Sequence, residues 1–162
     1  MLRLNDLDIC LLKDKPKFLN ICVQWSYDEW GKHVEGCTLS EMKKTYVSRL
    51  TGDGLPLMWI ALKDDVAVGM VGLKKHGHSE RENLSPWLSS LYVDEQYRGR
   101  GLGQFLIEHT KQQAKIMGYR NIHLYTSVSS SFYTHNGWEH IGYVTDPMNT
   151  KRKAALYAQE LS

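Results

Sequence analysis

Three glycines, Gly99, Gly101 and Gly103, alternate with bulkier residues directly after a strand-like segment, and Arg98 and Arg100 stand among them. Glycine lets a backbone turn tightly and approach a ligand closely because it has no Cβ atom. A helix-like segment follows, and the free N–H groups and positive dipole end of a helix start attract anions. The two arginines add positive charge at the same place. The spacing therefore predicts a phosphate-binding loop between a strand and a helix.

Two common nucleotide motifs do not match this loop. A P-loop requires Gly-Lys-Ser/Thr, but Gln104 and Phe105 follow Gly103. A dinucleotide fingerprint requires G-x-G-x-x-G and an acidic residue about 20 residues later, and the region near Asn121 has no acid after a strand. A third pattern, R-x-x-G-x-G, matches residues 98–103. It resembles the loop that binds the pyrophosphate of acetyl-CoA in the GNAT superfamily of N-acetyltransferases.

A second motif strengthens the resemblance. Phe132 and Tyr133 lie in a short segment, residues 129–136, that is predicted to be helical, and Gly137 and Trp138 follow it. The last helix of GNAT enzymes often carries Phe-Tyr and is then followed by Gly-Phe or Gly-Tyr. The close match runs over residues 87–144, and the N-terminal half of the chain matches more loosely.

The resemblance implies how the chain holds acetyl-CoA as acyl donor. Main-chain groups of Leu91 and Val93 would pair with the pantetheine arm as an added strand would, and N–H groups of the loop would hold the pyrophosphate. The side chain of Arg98 is equally explained by an ion pair with Asp94 or Glu95. The predicted donor-binding residues are Leu91, Tyr92, Val93, Arg98, Gly99, Arg100, Gly101, Leu102, Gly103 and Gln104.

Acetyl transfer to an amine also needs proton transfer. The amine must lose a proton, and the CoA thiolate must gain one as it leaves. A tyrosine, with a pKa near 10, can protonate a thiolate whose conjugate acid has a pKa of about 8.5. The resemblance places Tyr133 beside the thioester sulfur and predicts it to be the catalytic acid. The alternative is a tyrosine that only packs at the edge of the domain.

The general base is harder to predict. Many family members carry a glutamate on the strand before the loop, whereas this strand has Ser89 and Ser90. Water held by these serines is one route for the proton. For the other candidates a solvated surface position is the favoured explanation. These candidates are His76, His78, Glu80, Glu82, His135 and His140. His123 is expected to be a packed strand residue.

The acceptor is predicted to be a primary amine of a small molecule or a peptide. In the GNAT fold, segments corresponding to residues 25–38 and 145–153 border the acceptor site. Carboxylates beside aromatic rings suit a cationic amine; the alternative is a core tryptophan followed by a solvated acidic helix end. The predicted acceptor-site residues are Trp25, Glu29, Trp30, Ser89 and Ser90.

Composition sets limits on the function. A chain of 162 residues with 42% hydrophobic and 23% charged residues is expected to form one domain, residues 1–162. A net charge of +2 is too small to indicate a nucleic-acid partner. No apolar run approaches the roughly 20 residues of a membrane span, and no signal-peptide core is present. Three cysteines without metal-ligand spacing predict no metal site and a cytoplasmic location.

Periodicity predicts the order of elements. A capping box at Thr38 and Glu41 starts one helix, and Asp64-Asp65 joins two strands in a hairpin. The predicted strands are residues 2–12, 58–63, 66–74, 87–93, 122–126, 138–144 and 154–161, and the helices begin near Pro16, Leu39, Leu102 and residue 129. This order predicts an α/β (α+β) fold with a mixed sheet of about seven strands and about four flanking helices. The GNAT resemblance further implies that the sheet is mostly antiparallel and that its two central strands splay apart.

The sequence thus predicts an acetyl-CoA-dependent N-acetyltransferase that acts by direct attack in a ternary complex, since no cysteine lies near Tyr133 to carry the acyl group. The alternative is a catalytically inactive CoA-binding regulatory or interaction module, which the absent strand carboxylate would suit. A homodimer through edge strands, residues 154–161 among them, is left open.

Overall fold

The computed structural model describes residues 2–50, 52–128 and 131–162. Its seven strands are β1 (Asp8–Leu11), β2 (Leu57–Lys63), β3 (Val66–Lys74), β4 (Trp87–Val93), β5 (Asn121–Thr126), β6 (Glu139–Thr145) and β7 (Lys153–Glu160). Its α-helices are α1 (Leu19–Glu29), α2 (Leu39–Ser48), α3 (Leu102–Ile116) and α4 (Ser131–His135). None of the helices in this part of the chain is long and apolar enough to span a membrane.

The strands form one sheet in the order β1-β2-β3-β4-β5-β7-β6. Every neighbouring pair is antiparallel except β4 and β5, which are parallel. The predicted mixed, mostly antiparallel sheet is therefore confirmed. The β2–β3 hairpin turns at Asp64 and Asp65, with φ of 50° and 63°, the left-handed values that a two-residue type I′ turn requires.

The two faces of the sheet carry different layers. On one face, α3 packs against a core that includes Leu106, Ile107 and Val71. On the other face, α1 and α2 enclose a second core around Cys22, Tyr46 and Met58. Both sides of β2 and β3 are therefore buried, which explains the nearly continuous apolar run of these two strands.

Element boundaries differ from the predictions mainly near the N-terminus. The first strand covers only Asp8–Leu11, because Leu4–Asp6 forms a 3₁₀ turn. A second 3₁₀ turn, Pro16–Phe18, precedes α1. The predicted cap of α2 is confirmed, since the Glu41 N–H donates to Thr38 Oγ1 at 3.1 Å. The first two residues of the predicted last helix, Ser129 and Ser130, lie outside the described residues.

The position of β7 corrects one prediction. Residues 154–161 were expected to be available as an edge strand, but β7 lies between β5 and β6. The chain forms a β6–β7 hairpin that inserts its second strand next to β5 and leaves β6 outside. The sheet edges are therefore β1 and β6, and any pairing across a dimer would use one of these two strands.

Candidate functional site

The parallel strands β4 and β5 diverge soon after they meet. Trp87 and His123 are their one register pair, and the His123 N–H donates to the Pro86 carbonyl at 3.0 Å. Beyond this point β4 continues to pair with β3, and β5 continues to pair with β7. The facing backbone edges of β4 and β5 therefore open into a cleft, as the resemblance implied.

A bulge distorts β4 beside this cleft. Met70 pairs with Tyr92 and Gly72 pairs with Ser89, so Ser90 and Leu91 both lie opposite Val71. Ser90 has a φ of 55°, a left-handed value that is uncommon for a residue with a side chain. Such bulges re-aim backbone and side chains at functional sites. The Ser89 Oγ is buried and has no hydrogen-bond partner within the described structure.

The predicted glycine loop borders a cavity of about 330 Å³ at the start of α3. Gly101 caps the helix with a φ of 84°, and Gly99 has a φ of 73°. A Cβ atom on Gly99 would meet no protein atom within 4 Å, and one on Gly101 would meet only Leu4, at 3.6 Å. The cavity is lined by Glu29, Leu91, Tyr92, Val93, Tyr97, Arg98, Gly99, Gly101, Leu102 and Gly103.

This loop fits an anionic group. The first intrahelical hydrogen bond joins the Phe105 N–H to the Gly101 carbonyl at 3.0 Å, so the N–H groups of residues 102–104 precede the helical ladder. Free N–H groups at the positive end of a 15-residue helix attract phosphate. Any other residue type would place a side chain in the open space over the loop, which explains why glycines occupy these positions.

Arg98 has a structural role, as one of the two alternatives predicted, but with partners other than the expected carboxylates. Its Nε donates to the Val93 carbonyl at 2.9 Å, and its guanidinium lies 5.2 Å from the centre of the Tyr92 ring. The expected ion pair with Asp94 or Glu95 is not among the ion pairs of residues 2–50, 52–128 and 131–162. Asp94 instead accepts from the Gln96 N–H at 3.0 Å and caps the following turn. Arg98 thus ties the loop back to β4.

Tyr133 packs on the α3 face of the sheet, against the same core as Leu91 and Val93. Its ring centre lies 5.6 Å from that of Tyr157 and 6.1 Å from that of Trp138. Burial raises the pKa of the Tyr133 hydroxyl above its ordinary value, and Tyr157 adds to the increase. The phenol therefore stays protonated at neutral pH, which is the state that a proton donor requires.

The predicted acceptor-site aromatics converge on one ring. The ring centres of Trp25 and Trp30 lie 5.1 and 6.5 Å from that of Tyr92. Trp25 is only 9% exposed, so it is a core residue. This agrees with the alternative prediction of a core tryptophan followed by a solvated helix end. Glu29 is exposed and lines the glycine-loop cavity. The structure therefore separates Glu29, beside the predicted donor loop, from Ser89 and Ser90, beside the cleft.

Two candidate bases fasten the 75–86 loop to the end of β6. The His78 Nδ1 accepts from the Glu80 N–H at 3.1 Å, so its Nε2–H donates to the Thr145 carbonyl at 2.8 Å. Glu80 in turn accepts from the Thr145 N–H at 3.0 Å. Hydrogen bonding to the side chain of Thr145, and then to its N–H, lowers the pKa of the Glu80 carboxyl. These contacts favour a structural role for both residues.

The other candidates lie elsewhere. His135 bonds to the Ser131 carbonyl, and His140 packs edge to face against Tyr143. His76 and Glu82 are exposed. His123 is 6% exposed, as expected of a packed strand residue.

Two cationic residues close to β4 were not predicted from the sequence. Arg49 directly follows α2 and places its Nη1 3.4 Å from Ser90 Oγ. Lys74 ends β3 opposite Trp87, and burial, with a contribution from Arg49, lowers the pKa of its ammonium group to about 8. Side chains alternate between the two faces of a strand, so the spacing of Met70 and Lys74 could have predicted that both lie on the same face of β3. No sequence signal marked Arg49.

Comparison with known protein families supports the interpretation of the glycine loop as an acetyl-CoA loop. The sequence model of the acetyltransferase (GNAT) domain matches residues 55–140. This match covers just over half of the chain and contains the bulge, the cleft strands and the whole glycine loop. The chain belongs to the GNAT acetyltransferase family.

Individual relatives of this GNAT domain are distant. N-alpha-acetyltransferase 80 of Mus musculus is 25% identical over 130 residues, which cover 77% of this chain and 39% of that protein. The chain therefore spans about two fifths of the length of this curated relative.

Solved structures share the fold of this GNAT domain. An N-acetyltransferase from Staphylococcus aureus Mu50 has a TM-score of 0.74 at 18% identity, covering 96% of this chain and 99% of that one. An aminoglycoside 6'-N-acetyltransferase complexed with coenzyme A has a TM-score of 0.74 at 12% identity, covering 96% and 97%.

Proposed function

We propose that this GNAT domain transfers the acetyl group of acetyl-CoA to a primary amine of a small molecule or a peptide. The observation that carries the proposal is the continuity of the glycine-loop cavity with the cleft. Leu91 and Val93 line the cavity and also belong to the part of β4 that no longer pairs with β5. An anion seat and a free strand edge thus lie end to end, as a pyrophosphate joined to a pantetheine arm requires.

The chain would hold the donor mainly through its backbone. N–H groups of residues 102–104 would bind the pyrophosphate, and the exposed Arg100 side chain would add charge. Main-chain groups of β4 beyond the bulge would pair with the amide groups of the arm. The donor itself supplies the activated acyl group.

Direct attack by the amine agrees with the burial of Cys22. Burial raises the pKa of the Cys22 thiol to about 12, so this residue cannot supply a thiolate near neutral pH. In the proposed reaction the amine nitrogen bonds to the acetyl carbon and the carbon–sulfur bond breaks. Tyr133 gives its proton to the leaving sulfur, and the amine proton passes to water held beside Ser89.

An amine-panel assay tests this function. Release of free CoA thiol would be followed with a panel of primary amines, and mass spectrometry would identify the acetylated product. Calorimetry would measure acetyl-CoA binding separately. Turnover of any amine with matching product mass supports the proposal. Tight acetyl-CoA binding without turnover of any amine would favour the regulatory module instead, and absence of binding would refute both.

We also propose that residues 1–162 work as one catalytic domain in the cytoplasm. One sheet takes strands from residue 8 to residue 160, which supports a single folding unit. Cys10, Cys22 and Cys37 are free thiols, which suits a reducing compartment. A single cooperative unfolding transition and fractionation of the tagged protein would test the two points.

A further inference from the structure

Arg49 and Lys74 are two cations on the α1–α2 face of the sheet, close to β4. They are called here the cationic pair. Arg49 stacks over the Tyr46 ring at 4.7 Å and reaches Ser90 Oγ at 3.4 Å. Lys74 follows Met70 and Gly72 at alternate positions of β3, and Met70 belongs to the core under α1 and α2. The Arg49 Nη1 also lies 3.3 Å from the Sδ of Met58, which pairs with Gly72. Gly72 precedes Lys74 by two residues, so the guanidinium lies over the end of β3 that carries Lys74.

The charge of the cationic pair is not compensated by the protein. The ion pairs formed by residues 2–50, 52–128 and 131–162 involve neither residue. The polar atoms that Arg49 Nη1 meets, Ser90 Oγ and Met58 Sδ, are neutral. The buried carboxylate of this part of the chain, Asp146, is already bound by Arg152 at 2.7 Å.

A partly buried cation without a counter-ion opposes folding. Lys74 is held largely out of water next to a second cation, and the direction of its pKa shift reflects that cost. Residues that reduce stability without a structural partner are typical of functional sites. The missing partner of the cationic pair is an anion.

We propose that the cationic pair binds a carboxylate carried by the acceptor, so that the acceptor is an amino-carboxylate compound, an amino acid or an acidic peptide. This inference rests on the proposed function. An arginine fork and a lysine point charge together suit a carboxylate. Because Arg49 contacts the bulge beside the cleft, the carboxylate and the reacting amine would be separated by only a few bonds. Two adjacent cations would repel polycationic acceptors.

Matched acceptor pairs test the proposal. The first pair is an amino acid and its carboxamide. The second pair is two tripeptides that differ only in having Asp or Asn at the second position. Comparison of the two pairs distinguishes a free amino acid from a peptide as the acceptor. We expect kcat/KM of the wild type to favour the carboxylate member of at least one pair by about tenfold, as loss of one charge-assisted bond would give.

Variants then assign the preference to the cationic pair. Lys74→Met and Arg49→Gln are expected to remove most of the preference, chiefly through KM for the carboxylate member. Lys75→Met removes the same charge from the exposed neighbouring residue and is the matched control, for which the preference is expected to persist. Circular dichroism would verify that each variant is folded.

Several outcomes would overturn the inference. One is equal turnover of both members of each pair by the wild type. Another is an equal loss on both members in Lys74→Met, which would indicate a role in the chemical step. Binding of the N-acetylated amino acid and its amide, measured by calorimetry, separates this inference from the proposed function. Preferential binding of the carboxylate product without any turnover would uphold the anion site and refute the acetyltransferase proposal.

Discussion

The Nη1 atom of Arg49 lies 3.4 Å from the Oγ of Ser90. Arg49 directly follows the second helix, whereas Ser90 is the left-handed residue of the β4 bulge. This contact links the layer formed by α1 and α2 to the strand that borders the cleft. A substrate that changes the position of Arg49 would therefore act directly on the strand that we propose to hold the donor.

Replacement of Tyr133 by phenylalanine is expected to lower kcat by about 10²- to 10⁴-fold, the usual contribution of a general acid. The dissociation constant of acetyl-CoA should stay within about twofold, because the ring and its packing on Tyr157 remain. Steady-state kinetics and calorimetry measure the two quantities. Tyr119→Phe, a change to a partly buried tyrosine at the end of α3, is the matched control. An unchanged kcat at every pH would exclude Tyr133 from the mechanism.

Replacement of Gly101 by valine is expected to weaken acetyl-CoA binding at least about tenfold, because the new side chain would enter the space over the loop. The φ of 84° at this position also adds backbone strain of about 1–2 kcal/mol. Gly118→Val controls for that strain, since Gly118 has a φ of 93° and open space around it but lies at the far end of α3. Wild-type affinity in a folded Gly101→Val protein would contradict the proposed donor site.

Replacement of Lys74 by methionine is expected to stabilise the protein at pH 7. The folded state lowers the pKa of Lys74 from 10.5 to about 8, which corresponds to an upper limit of about 3 kcal/mol. Between these two pH values the unfolded chain binds the extra proton, so this residue makes the stability of the wild type rise with pH. Denaturant unfolding at pH 7 and pH 10 should show the variant's advantage shrinking. A constant difference, or a destabilised variant, would contradict the burial of this charge.

Replacement of Gly77 by alanine is expected to destabilise the fold by about 1–3 kcal/mol, as overpacking does. A Cβ atom there would clash with the Trp87 ring, so the 75–86 loop would have to move away from the strand that starts the cleft. Gly54→Ala is the control, since a Cβ atom at Gly54 meets nothing within 4 Å. Denaturant unfolding followed by tryptophan fluorescence measures both variants, and equal stability would contradict the tight packing of this loop.

Local signals predicted the elements that depend on short-range chemistry. The capping box at Thr38, the Asp64-Asp65 hairpin and the glycine-rich entry to α3 all use interactions within a few residues. The N-terminal strand was predicted too long because the apolar pattern of residues 2–12 continues through a 3₁₀ turn. The position of β7 inside the sheet depends on a hairpin that inserts a strand, which no local pattern records.

By itself, the sequence determined the acyl donor that we propose and the order of strands and helices, because phosphate-binding glycines and apolar periodicity are properties of neighbouring residues. Only the tertiary structure decided what surrounds the acceptor. It assigned Trp25 to the core and fastened His78 and Glu80 to β6. It also brought Arg49 and Lys74, 25 positions apart in the chain, to one face of the sheet. Contacts across a sheet depend on register and on strand order, and both of these arise only when distant segments pack together.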